Sequence, residues 1–298
     1  MADSVTSTYA GEAAGEYVAA ALLSPKSLDG LTVKPNVKKK LVVKKGADSV
    51  ALADATCDYT SAGDVTITER VLSVESFQIN KTVCKQDFLD DWDAVSMGAS
   101  AHNENAPSTF NQYFIDRLTS RTGEAIENNI WTGIDATAGQ FDGFETLWAA
   151  DSDVVDATAA AFSASTIDDA LNTAIDNIPV AILGSSDLRI YMNTRSLWYY
   201  KQFLMASSHG GVNIFNGEIP VFSYAGIQIV ECPGMSVNKM AIAEQTNLLF
   251  GTNLLDDMNE VKVIDTAETL GDQNIRYVMR ASAGVQYGIG SEIVYINA

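Results

Sequence analysis

Redox and metal chemistry have little to work with in this chain. Its 298 residues include only two histidines, His102 and His209, and three cysteines, Cys57, Cys84 and Cys232, which are far apart and form no CxxC pair. With two histidines and no cysteine pair no zinc site is expected, and the cysteines read as reduced, partly buried thiols of a protein made in the cytosol. The acid clusters Asp90-Asp91-Trp92-Asp93 and Asp256-Asp257 lack the spacing of an EF-hand loop and read as solvated faces. Phosphate-loop and dinucleotide fingerprints are missing, and the glycines from Gly284 to Gly290 read as a bend between strands. No GxSxG elbow is present. Ser208 and His209 could be imagined as part of a hydrolase, but adjacent side chains point apart and their Ser/His/Gly surroundings are loop-like. No catalytic constellation, cofactor site or metal site is therefore expected, and the chain is not read as an enzyme.

Positive charge is scarce as well. Nineteen Lys and Arg stand against 38 Asp and Glu, a formal charge of −19. Such a balance argues against a general nucleic-acid binder, which needs lysine and arginine to displace condensed counterions, but it suits a surface that lies beside DNA without sticking to it. Long hydrophobic runs are lacking, so no membrane span is expected. The first basic residue is Lys26, behind Asp3, Glu12 and Glu16, so the apolar stretch Tyr17 to Leu23 has no positively charged flank of a signal peptide.

What is present is a sequence of elements. Residues 107–132 hold the longest helical pattern: Thr109 and Gln112 make a capping-box signature behind Pro107, Phe110, Phe114, Leu118, Ala125 and Ile126 share one face, and Gly133 ends it. Arg117 and Arg121 precede Glu124 and Glu127, opposite to what the helix macrodipole favours, so these charges are expected to face another subunit or a nearby hairpin. Gly123 implies either a slight kink or close passage of another backbone.

Residues 1–30 read as an arm too small to hold a core. Residues 31–75 alternate β-branched residues on both sides of a turn-rich middle, which predicts a long two-stranded ribbon. A lone ribbon is marginal in water and must lie on a neighbour. Its six lysines, Lys34, Lys38, Lys39, Lys40, Lys44 and Lys45, fit edge protection, electrostatic docking on another copy of this acidic chain, or nucleic-acid contact. A strand at 77–84, a short helix at 85–97, helices near 165–178 and through Leu197 to Leu204, and strands at 188–192, 221–224, 227–231, 261–264, 275–279 and 293–296 follow. Helices and strands come in separate runs, an α+β pattern.

The order of these parts, with Asn129-Ile-Trp-Thr-Gly closing the long helix, the Phe141-Asp-Gly-Phe turn, Asn247-Leu-Leu-Phe-Gly-Thr and Gly284-Val-Gln-Tyr-Gly-Ile-Gly, resembles the major capsid proteins of tailed phages with the Hong Kong 97 fold. The resemblance implies an arm (1–30), an extended loop (31–75), a peripheral domain with the spine helix (76–150, completed by 246–298) and an axial domain (151–245). It further implies self-assembly as hexamers and pentamers into an icosahedral shell around double-stranded DNA, held without sequence-specific contact. Assembly in the host cytoplasm into a virion is implied, with a separate scaffolding protein, a portal and decoration proteins as partners. An encapsulin-like compartment shell and a hydrolase using Ser208 and His209 are the alternatives.

Overall fold

The computed structural model describes residues 26–48, 57, 65–84, 108–206, 222–253, 262–266 and 271–298. The arm helix near 17–23, the helix expected at 85–97, His102, Ser208, His209 and both acid clusters lie outside the described residues.

A one-turn helix at Lys26–Gly30 leads into β1 (Thr32–Lys34). The ribbon follows as β2 (Lys40–Asp48) and β3 (Val65–Ser73), antiparallel from Lys40↔Ser73 to Asp48↔Val65. After Val74 the chain continues as β4 (Glu75–Cys84). The spine helix α1 is Ser108–Thr132, 25 residues and so roughly 37 Å long at about 1.5 Å per residue. Then come α2 (Phe144–Ala150), β5 (Val155–Ala157), α3 (Ile167–Asp176), β6 (Leu188–Met192) and α4 (Thr194–Ala206). The last part is strands: β7 (Ser223–Tyr224), β8 (Ile227–Glu231), β9 (Lys239–Glu244), β10 (Leu248–Thr252), β11 (Lys262–Asp265), β12 (Asn274–Tyr287) and β13 (Val294–Asn297).

Three sheets result. In the first, the 14-residue β12 is the trunk: β4 runs along one edge, and β10 and β11 pair in succession along the other, with β1 parallel to β10. The second has the order β5-β13-β9-β6-β8-β7, and the ribbon is the third. Strands of the six-stranded sheet are apolar on both faces because both are covered. Ile190, Met192, Met240, Ile242, Val294 and Ile296 pack towards α3 and α4, whereas their neighbours Tyr191, Ala241, Ala243 and Tyr295 face the core that holds the end of the spine helix. There Trp131 packs against Phe144, Trp148 and Tyr191, with ring centroids 5.5 to 6.0 Å apart.

β13 pairs with β9 and β5 in the six-stranded sheet, and its alternate side chains enter both cores. Three expectations change. Gly284 lies inside β12, so the bend begins only at Gly288. Ala125 is exposed, since the buried stripe of the helix runs through Ile115, Thr122, Ile126 and Ile130. Gly133 does not take the left-handed conformation of a helix cap: a side chain there would strike the carbonyl oxygen of Phe141, so close approach of the returning turn requires glycine.

Candidate assembly interface

The ribbon stands on a seat built by its own chain. Register places Gly251 of β10 opposite Gly284 of β12. A side chain at Gly251 would strike Leu72, and one at Gly284 would strike the carbonyl of Ser73, so the paired glycines form a notch that receives the ribbon root. Leu72 is fully buried there with Val37, Val74 and Leu249, and Leu41 and Val43 pack over them. Backbone bonds close the seat: Val74 N–H donates to Lys39 O, Val37 N–H to Thr252 O, and the Gln286 side chain to Val71 O at 3.0, 3.0 and 3.1 Å.

Alternation makes Arg70 share the inward face with Leu72, an odd place for a charge. Its guanidinium lies over the Tyr287 ring, 4.3 Å from the centroid, and donates to Asp151. The Tyr287 hydroxyl donates to the same carboxylate at 2.7 Å. Held by Tyr287, by the Asp153 N–H and by Arg70, Asp151 has its pKa lowered to about 2, against an opposing effect of burial.

The opposite face of the ribbon is bare. Val42 is directly across from Val71, and these and Ile67 are 47 %, 39 % and 68 % exposed. Around them stand Lys40 and Lys44, the latter across from Glu69. Lys34, expected in the ribbon, lies instead in β1 beside β10 of the trunk sheet; it is exposed, as are Lys38 and Lys39 near the ribbon root, and Lys45 is half-buried. An apolar stripe flanked by lysines can lie on a neighbouring surface that is apolar and acidic, and it has no such cover among the described residues of its own chain.

The spine-helix charges divide. Arg121 pairs with Glu124 on the exposed side at 2.6 Å, leaving both available to a neighbour, while the side chain of Arg117 lies outside the described residues. Glu127 departs from the expectation that it faces another subunit or the hairpin. It is 5 % exposed and accepts hydrogen bonds from the Ser27 hydroxyl, from Ser27 N–H at 3.4 Å and from Gly234 N–H at 3.3 Å, while Trp131 Nε1–H donates to Ser27 Oγ at 2.7 Å. Burial raises its pKa despite those bonds. Glu127 therefore fastens the one-turn helix at Lys26–Gly30 to the spine helix from within. Lys26, one residue earlier, pairs with Glu231 at 2.9 Å.

Ser27, Arg70, Asp151, Tyr287 and the two notch glycines escaped sequence reading. Only Arg70, charged on the apolar register of β3, and the glycines inside apolar strands carried a signal. Among the described residues no three His, Cys, Asp or Glu side chains gather as a metal site, and no helix is long and apolar enough to cross a membrane.

No protein-family model matches the sequence, and neither does any curated protein. Solved structures do match. The satellite phage P4 procapsid that includes the size-determination protein aligns with a TM-score of 0.63 at 10 % identity, covering 99 % of this chain and 93 % of that one. The capsid of the empty GTA particle gives 0.60 at 10 % identity over 92 % and 89 %. The chain has the Hong Kong 97 fold. A virus-like particle from Pyrococcus furiosus also aligns with this Hong Kong 97 chain, with a TM-score of 0.51 at 11 % identity over 95 % and 98 %.

Proposed function

We propose that this chain is the major capsid protein of a tailed phage, assembling as hexamers and pentamers into an icosahedral shell around double-stranded DNA. The observation that carries the reading is the match to phage shell proteins over nearly the full length of both chains. The ribbon supports it physically. Its root is fixed to the subunit, yet its outer stripe of Val42, Val71 and Ile67 is left for another molecule, and covering such side chains contributes roughly 2 kcal/mol each. Repeated around a closed ring, modest contacts add up to a stable particle.

In this reading residues 1–30 are the arm, 31–75 the extended loop, 76–150 with 246–298 the peripheral domain, and 151–245 the axial domain. β13 is then shared between the domains, pinning one to the other. Scaffolding, portal and decoration proteins are the proposed partners, and the net charge of −19 keeps the shell from binding its DNA tightly along its whole surface. A compartment shell is the second reading, favoured by the match to the Pyrococcus virus-like particle. Co-purified protein cargo in place of DNA distinguishes it.

Neutralising the ribbon root tests the docking. Lys38→Gln/Lys39→Gln/Lys40→Gln is expected to melt like the parent subunit but to form fewer shells and to lose them at lower salt. Shells of normal yield and salt tolerance, counted by electron microscopy, would contradict the docking role.

A further inference from the structure

The trunk sheet carries a second basic surface, distinct from the ribbon. On β12, Ile275, Tyr277 and Met279 are buried, facing the spine-helix side where Ile115, Leu118 and Thr122 pack. Alternation sends Arg276, Val278 and Arg280 to the opposite face. Register sets Thr82, Asn80 and Gln78 of β4 beside them on one edge, and Lys262 and Ile264 of β11 beside Val278 and Arg276 on the other. At the Arg280 end a cavity of about 430 Å³ opens, lined by the polar side chains of Arg280, Gln78, Ser76, Ser282 and Asn253 together with Phe77 and Ala281. Three acids flank this face among the described residues: Glu75 and Asp265, which alternation places on the opposite side of β4 and β11, and Asp272, before the start of β12. The Asp272 carboxylate is held by Thr266 and Asn274, and Arg276 adds to holding its pKa down. In a chain with twice as many acids as bases, a face built of guanidinium, ammonium, amide and hydroxyl groups stands out.

We propose that this outer face of β4, β12 and β11 binds the phosphodiester backbone of nucleic acid, with Arg276 and Arg280 as the charge contacts and the cavity at Arg280 receiving a phosphate group. Its composition decides between partners. Protein interfaces concentrate aromatic and apolar side chains at their centre, whereas here Val278 and Ile264 stand apart along the face and Phe77 and Ala281 lie at the wall of the cavity, among polar groups. Nucleic-acid interfaces are polar and strongly positive, with most hydrogen bonds going to phosphate from side chains of these types. The ribbon differs on the same criterion, because its lysines surround an apolar stripe suited to protein. Two arginines about 13 Å apart along one strand give weak, sequence-independent contact, which fits a wall that must touch DNA and release it. The link to a packaged genome rests on the capsid reading; the binding does not.

The test is fluorescence anisotropy of a labelled short duplex titrated with purified subunit from about 50 to about 200 mM salt. Arg276→Gln/Arg280→Gln is expected to weaken binding at least tenfold at the lowest salt and to reduce the salt slope by about 1.8, roughly 0.9 per lost phosphate contact. Arg276→Lys/Arg280→Lys restores most of the slope, and the triple lysine variant of the ribbon keeps it. An unchanged slope in the arginine variant, a slope lost in the ribbon variant, or binding of a polyglutamate peptide without binding of duplex overturns the proposal. Microscopy of the same preparations separates the two readings: arginine-variant shells that form without binding duplex leave the capsid assignment intact, and duplex binding by a wild type that never assembles leaves this inference intact.

Discussion

Glu127 and Asp151 are both carboxylates that fasten one element to another, and their surroundings push them in opposite directions. Glu127 has hydrogen-bond donors but no cation, so burial raises its pKa. A group whose folded pKa is raised contributes stability that is present at low pH and lost as pH rises through the folded value. Acidification from about pH 7 to about pH 5 is therefore expected to stabilise the wild type relative to Glu127→Gln in denaturant titrations, and a pH-independent difference would remove Glu127 from this role. Asp151 is the reverse. Its lowered pKa contributes stability above the unfolded value, lost as pH falls from about 4 towards about 2. Asp151→Asn is expected to cost about 1 kcal/mol at neutral pH, the carboxylate being partly exposed and screened, and to cost little at the acid end. A melt series across that range, with cleavage of the ribbon by added protease as a second readout, checks it. The sequence singled out Glu127 as an outward-facing charge and passed over Asp151, because one Glu in a helix and one Asp in a turn look solvent-facing until a serine from residue 27 or an arginine from residue 70 is brought to them.

At the scale of elements, the ribbon depends on two glycines it does not contain. Gly284→Ala puts a methyl group against the Ser73 carbonyl and is expected to cost roughly 1–3 kcal/mol, with faster proteolysis of the ribbon. Gly46→Ala, in the ribbon itself where nothing lies within 4 Å, is the comparison and is expected to leave the seat undisturbed. Equal effects of the two substitutions would argue against the notch. Elements with a strong local period were legible in the sequence: the spine helix over 108–132, the ribbon strands, β4, β6 and α4 all follow from 3.6-fold or alternating patterns. What was not legible depends on pairing. β9, with its Ala-rich Lys239–Glu244 segment, has no clean alternation because both its faces are buried, and β13 could be assigned to a sheet only by the partners that flank it. The seat of the ribbon was missed for the same reason, since a lone ribbon in a sequence gives no sign of where its root lies.

The whole molecule combines a rigid body with surfaces left for others. Two cores share the six-stranded sheet, the spine helix joins that sheet to the trunk strand, the ribbon is fixed at its root, and the turn at Lys26–Gly30 is bonded to the spine helix. Fixed roots with uncovered outer faces are what repeated assembly requires, because a segment must leave every subunit in the same direction to meet the same place on the next. The resemblance drawn from element order and the match of the fold agree on this architecture, although identity to the matched shells is only 10–11 %. Negative-stain microscopy combined with sedimentation velocity of the purified full-length chain addresses the central claim most directly. Closed, uniform shells built from rings of this subunit are the expected result. A stable monomer at every protein concentration and salt tried, with the stripe of Val42, Val71 and Ile67 remaining uncovered, would contradict it.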